Sequence, residues 1–438
     1  MVRRPVRSIR VLLCATAIAC GLAVIGVPGT LGQAGASPCG NSSLGSSGLG
    51  SSGLGSLGSG ASPIGPQGPL PIYWGASTRT VSWLTGPLSI NRTFSRFAIS
   101  GTDLGISWDN GTGQTLMAFG DTFGNCTVAG QQWRHNTLLR TDDTDPSNGI
   151  TVPNPVVGDP GSGSPVSAEA PNVARQLIPA LGLSPIEVTS IPTAAIALPR
   201  PGGGYRQFIN YMSVRSWGSA GHWVTNFSAI AHSDDNGQTW TTDQNTILVN
   251  APVTLSLPGD LADVEPNNGK FQQNAYLRGH GADADYIYQF GTPNGRFGAA
   301  FLARFHPEYI TDLSRYQYWA GGSVGWVDAL AAVPDDGSAI VVPAPVTELS
   351  VSWSPYLNKY LMLDGDNGIR MRTADQPQGP WSAPRYLVPT GALVLYGPMM
   401  LPQSPALTGT GKILYFNASR WNDYNVMVLR TDLSQVGG

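Results

Sequence analysis

The chain has 438 residues, of which 55 are glycine and 35 proline, with 12% charged and a formal net charge of −3. So little charge, slightly acidic, excludes a nucleic-acid binder that works through a basic surface. No stretch carries a convincing amphipathic helical repeat, which leaves short strands and turns to build the body.

Arg3, Arg4, Arg7 and Arg10 precede an apolar stretch from Val11 to about Val27, and Ala34-Gly35-Ala36 offers a small-residue cleavage site. This is the pattern of a secretory signal peptide over residues 1–36, with a mature start near Ser37. Glycines and a proline break the apolar run, so no membrane span is expected after processing and the location is secreted or at the cell wall. Cys20, following Ala17-Ile18-Ala19, leaves lipidation as an alternative. Processing removes four arginines, leaving 21 basic residues against 28 acidic ones, a balance of −7 that a neutral polysaccharide would tolerate.

Cys14 and Cys20 fall in the signal, so Cys39 and Cys126 are the cysteines of the mature chain. In an oxidising compartment two cysteines predict one disulfide; two unpaired thiols are the alternative. The five histidines are scattered and no Cys/His cluster has metal-ligand spacing, so neither a metal nor a cofactor is expected. Residues 37–72 form a linker: the Gly/Ser/Leu/Pro tract from Gly40 to Pro71, with its SSGLG repeat, cannot bury a core.

Gly101–Gly124, GTDLGISWDNGTGQTLMAFGDTFG, reads as a β-hairpin turning at Asp109–Gly113. Folding it about Thr112 pairs residues whose numbers sum to about 224, which puts Asp103 opposite Asp121 and Gly105 opposite Phe119. Like charges across a strand pair repel, so the arrangement costs stability unless a site uses it. Proximity raises one carboxyl pKa and leaves the other low, which suits acid and base catalysis. Asp121 is expected to be the acid, because its strand leads into Phe123 and a loop that a disulfide would pin. Solvated turn residues are the competing reading.

Beyond the hairpin, Asp142–Pro185 is rich in Pro, Gly and Ser and reads as a long insertion bordering the cleft. Ser233–Trp240, SDDNGQTW, fits the Asp-box pattern, a structural hairpin of propeller blades. Strand-rich units begin at GTDLGISW, TAAIALP, FQQNAYL, ELSVSWS and YGPMMLP. Five such units in an all-β chain suit radial repetition, with Ser82–Leu84 joining the last and closing the ring. Polar residues at the unit starts would line a central pocket: Asn136, Tyr211, Gln272, Arg296, Glu348 and Tyr396. Glu348 is the best third carboxylate, whereas Asp263, Glu265, Asp364 and Asp366 look like turn residues.

The hairpin and the phrases WRHNTLLRT, YMSVRSWG, YIYQFGTPNGRFGAAFLARF, TELSVSWSPYLNKYLM and WNDYNVMVLRTDL together resemble the DUF4185 proteins of actinobacteria, which include endo-D-arabinanases. The resemblance implies a five-bladed β-propeller over about residues 73–436 and hydrolysis of α-linked D-arabinofuranose chains. The partner it implies is cell-wall arabinan, of arabinogalactan or lipoarabinomannan; a monomer is expected. Asp103 and Asp121 match the family's two motif aspartates. Against the hydrolase stand a non-catalytic carbohydrate-binding propeller and a wall-tethered protein-binding propeller.

Overall fold

The computed structural model describes residues 38–39, 62–180, 186–250 and 265–436; the expected signal peptide, most of the expected linker and Asp263 lie outside the described residues. Five antiparallel sheets form the blades of a β-propeller. Blade I holds strands Leu104–Asp109, Thr115–Phe119 and Thr137–Thr141; blade II holds Thr189–Pro199, Tyr205–Trp217, Trp223–Ser233 and Thr241–Val249. Blade III begins with Gln273–Arg278, Ile287–Thr292 and Gly298–Phe305, and short outer strands extend it. Blade IV holds Ser350–Ser354, Lys359–Asp364, Ile369–Ala374 and Arg385–Val388. Blade V combines Leu395–Met400, Ile413–Arg420 and Asn425–Asp432 with Thr78–Trp83 from the start of the body.

The first strand of each blade is the inner one. Successive inner strands touch in cyclic order, and the inner strand of blade V returns to that of blade I. Closure is also made at the rim, where Thr78–Trp83 pairs with Asn425–Asp432 and Thr78 Oγ1 hydrogen-bonds Thr431 Oγ1 at 2.7 Å. The expected closing segment therefore starts four residues before Ser82.

Alternation within the strands glues the blades together. Met117 and Phe119 face blade V and pack with Val426 and Val428, while Leu116 and Ala118 face blade II and pack with Ile209 and Ala231. Met427 and Leu429 point the other way, against Leu361 and Leu363 of blade IV. A strand buried on both faces needs apolar residues at both parities, which is why these runs read as continuous rather than alternating. Truncating one such leucine to alanine costs about 2–5 kcal/mol.

Three sequence expectations change here. The linker does not run to residue 72: Gln67 Nε2 donates to Thr85 O at 2.8 Å, Gly68 N to Asp423 Oδ1 at 2.9 Å, and Trp83 Nε1 to Gly68 O at 3.2 Å. The described part of the insertion, residues 142–180, does not line the axial pocket but covers the outer edge of blade I. There Arg140 N and Nη1 donate to Gly163 O and Ser162 O, filling the place of a fourth strand. Asp364 is no turn residue; it is fully buried between Arg370 and Arg372.

Cys39 and Cys126 are joined by a disulfide, with Cα atoms 5.1 Å apart. The Asp-box hairpin is structural: Asp235 accepts from Thr239 N and Oγ1 at 2.9 and 2.6 Å, and Trp240 is buried in the interface of blades I and II. Glu265 caps a short 3-10 turn through Asn267 N. Among the described residues, no helix is long and apolar enough to cross a membrane.

Candidate active site

The N-terminal ends of all five inner strands converge on one pocket. Blade I contributes Asp103, Leu104 and Asp121; blade II, Ile191–Thr193, Met212, Trp217 and Trp223; blade III, Gln273, Asn274 and Arg296. Glu348 and Leu349 come from the start of blade IV, and Tyr396, Met399, Trp421 and Tyr424 from blade V.

The predicted hairpin forms, and its register needs one correction. Gly101 bridges Phe123, and Ile106–Asp109 pair with Ala118–Thr115, all on a sum of 224. Between them the ladder is distorted: Leu104 pairs with Phe119, and Gly120 N donates to Asp103 O. Leu104 and Gly105 both take left-handed backbone, φ 68° and 77°, forming a bulge that blade V holds, Leu104 N donating to Ser419 Oγ at 2.7 Å. Bulges re-aim side chains next to active sites. Asp103 and Asp121 are thus not a regular cross-strand pair, although both enter the pocket. Behind them Thr102, Thr122 and Thr137 form a buried hydroxyl ladder at 2.8 and 3.0 Å.

The two carboxyls are held differently. Asp121 Oδ1 accepts from Thr189 Oγ1 at 2.5 Å and Trp133 Nε1 at 2.9 Å. Asp103 Oδ2 accepts from the Tyr396 hydroxyl at 3.0 Å, while its buried Oδ1 has no hydrogen-bond partner. Burial pushes the Asp103 carboxyl up to about 8, with the Asp121 charge adding to it and the Tyr396 hydrogen bond opposing. Burial pushes Asp121 up to about 6, with Thr189 and Trp133 holding it down. Of the two carboxyls Asp103 is the one pushed up further, because the Asp121 charge stands beside it, while Thr189 and Trp133 both donate to Asp121.

Glu348 is no free third carboxylate. Its two oxygens take Arg296 Nε and Nη2 at 3.0 and 2.5 Å in a buried fork. The guanidinium lies 5.3, 5.0 and 4.8 Å from the ring centres of Trp223, Tyr396 and Trp421. Tyr396 stacks on Trp421 at 4.1 Å. Arg296, Glu348 and Tyr396 thus reach the pocket as expected, as one unit.

Asn136, Tyr211 and Gln272 do not. Asn136 is enclosed, donating to Ser190 and accepting from Leu177 N and Ile178 N. Tyr211 sits in the interface of blades I and II with its hydroxyl on Thr242. Gln272 is fixed by Thr225, Leu248 and Asn268, and its neighbours Gln273 and Asn274 face the pocket instead. Sequence reasoning missed Trp217, Trp223, Trp421 and Tyr424, which come from hairpin turns of blades II and V. Tyr424, at φ 47°, sends its hydroxyl to Asp121 O at 3.1 Å. YMSVRSWG and WNDYNVM carried three of them in plain view.

The sequence profile described as Domain of unknown function (DUF4185) matches residues 88–430, most of the ring. The chain belongs to the DUF4185 family. Notoamide biosynthesis cluster protein J of Aspergillus sp. (strain MF297-2) is 27% identical to this DUF4185 chain over 337 residues, 74% of this chain and 81% of that protein. A solved chain from Bacteroides ovatus ATCC 8483 is similar with TM-score 0.49 and 14% identity, over 81% of this chain and 89% of that one. Zg3597 of Zobellia galactanivorans, a family 117 glycoside hydrolase, is similar with TM-score 0.40 and 12% identity, over 82% and 90%. These likenesses carry no argument, and function has to be argued from the site.

Proposed function

We propose that this DUF4185 protein is a secreted glycoside hydrolase that cleaves internal α-D-arabinofuranosyl linkages of cell-wall arabinan. One observation carries the reaction class: two enclosed carboxyls, Asp103 at about 8 and Asp121 at about 6, open into one aromatic pocket. At neutral pH the first is mostly protonated and the second mostly ionised, the pairing that glycosidic cleavage uses. Asp103 donates its proton to the leaving glycosidic oxygen as the bond to the anomeric carbon breaks. Asp121 takes a proton from the water that adds to that carbon, or adds to it directly, forming an ester bond that a water, deprotonated by the now ionised Asp103, then displaces at that carbon. Tyr396 holds Asp103 in place, and Thr189 with Trp133 hold Asp121.

The pocket suits an uncharged sugar. Its fixed cation, Arg296, is already neutralised by Glu348, and the walls are tryptophan and tyrosine faces with polar edges. Trp223 and Gln273 line the pocket, and Trp223 Nε1 and Gln273 Oε1 are buried without a protein partner. The arabinofuranosyl substrate and its place in the cell wall rest on the resemblance to endo-D-arabinanases.

The test is incubation of the mature protein with mycobacterial arabinogalactan and analysis of released oligosaccharides. Release of arabinose oligomers is expected, and the anomeric configuration of the first product by NMR separates direct attack from water addition. Retention on the polymer without release would leave a carbohydrate-binding propeller.

A further inference from the structure

The pocket rim between blades II and III carries two aromatic side chains that the acid/base chemistry leaves unused. Phe297 follows the wall residue Arg296, and His222 precedes the wall residue Trp223. Their rings stack at 4.5 Å and 25°, and Phe297 remains 55% exposed.

This stack is built in. Gly221 and Gly295 both take left-handed backbone, φ 78° and 87°, and bring the two loops into contact. A Cβ on Gly221 would lie 3.0 Å from the Phe297 ring, and one on Gly295 would lie 2.9 Å from Gly221 O. Arg296 N donates to Gly221 O at 2.9 Å, Asn294 donates to Trp223 O, and Gln273 Nε2 ties Pro293 O and Gly295 O at 3.0 and 2.7 Å. Asn250 adds a bond to Asn294 at 2.9 Å. The loop thus holds a phenylalanine in water on a backbone pinned from several sides. Rigid, half-solvated aromatic faces are what sugar rings stack on, because little freedom is left to lose on binding. Trp217, edge-on to Trp223 at 5.7 Å, lines the pocket beside it.

We propose that Phe297, backed by His222, is the wall of a second sugar-binding subsite outside the catalytic pocket. It receives a furanose ring of the same glycan several units along from the cleaved linkage. The C–H face of the sugar lies on the phenyl ring, and its edge hydroxyls meet the imidazole. This rests on the glycoside hydrolase reading and adds a chain-length preference to it: a polymer engages the rim, a short oligosaccharide does not.

The experiment compares wild type, Phe297→Ala and Phe297→Trp on long arabinan and on the shortest arabino-oligosaccharide that wild type cleaves. Phe297→Ala should lower kcat/KM on the polymer about tenfold, through KM, and leave the short substrate unchanged. Phe297→Trp should restore the polymer value. Equal kinetics of Phe297→Ala and wild type on the polymer overturns the subsite, and so does an equal loss on both substrates. Affinity electrophoresis in arabinan gels keeps the two readings apart. Absence of hydrolysis by wild type defeats the enzyme, whereas equal retardation of wild type and Phe297→Ala defeats the subsite.

Discussion

Asp364 in blade IV and Asp103 in the pocket are both withdrawn from water, yet the fold treats them in opposite ways. Each oxygen of Asp364 meets a guanidinium, Arg370 and Arg372, at 2.6 Å. Asp103 has one tyrosine hydroxyl and an oxygen with no partner, and shares its pocket with a second carboxyl. A carboxylate kept for structure is neutralised in place, because an unpaired buried charge is costly. One kept for chemistry is left under-solvated, and that deficit lifts its pKa into the working range.

The sharpest way to break the contrast is substitution to asparagine. Asp103→Asn and Asp121→Asn should each lower hydrolysis by about 10²–10⁴-fold, the range of general acid–base catalysis, read as turnover of arabinan. Asp364→Asn should keep turnover per folded molecule but cost about 3–5 kcal/mol, since it leaves two buried cations short of their partner; denaturant melts check this. Asp103→Asn goes the other way in stability. The native carboxyl holds its proton up to about 8, while the unfolded one releases it near 4. Wild type therefore loses stability as pH rises across that window, and the melting temperature of Asp103→Asn should pull ahead progressively from pH 4 to 8. A constant gap would contradict it.

Less of the site than of the fold was legible in the sequence, for a physical reason. Inner strands announce themselves by turn residues followed by apolar runs, so all five unit starts fall on or beside inner strands. Which residue of a strand start reaches the axis depends on where the strand begins: Gln272, the last residue before its strand, is locked to Thr225, Leu248 and Asn268, while Gln273 and Asn274, the first two of the strand, line the pocket. The bulge at Leu104-Gly105 breaks the 224 register only locally, and the glycine hinted at it without fixing the exchange of partners. Trp421 and Tyr424 are brought beside Asp103 and Asp121 by ring closure, a contact across more than 300 positions that no local pattern encodes.

Two smaller effects sharpen the comparison further. The pH profile of kcat/KM should be a bell, rising as Asp121 ionises near 6 and falling as Asp103 loses its proton near 8. A profile flat from 5 to 9 would separate the carboxyls from the chemistry. Tyr396→Phe removes the hydrogen bond that favours ionised Asp103, so the alkaline limb should move to higher pH with the acid limb unchanged. A limb at its wild-type position would leave Tyr396 a packing residue only.

The Cys39–Cys126 bond has a consequence for the covalent topology of the chain. Cys126 is tied to Cys39 through sulfur and holds Pro63 O through its own N–H at 2.9 Å. The chain thus departs from blade I and comes back to it at one residue. A protease that cuts anywhere between residues 40 and 61 makes two pieces that stay one molecule until a reductant opens the disulfide. On gels the nicked protein would run whole without thiol and lose a short N-terminal fragment with it. Whatever the N-terminal piece is fastened to remains fastened to the loop that follows Asp121.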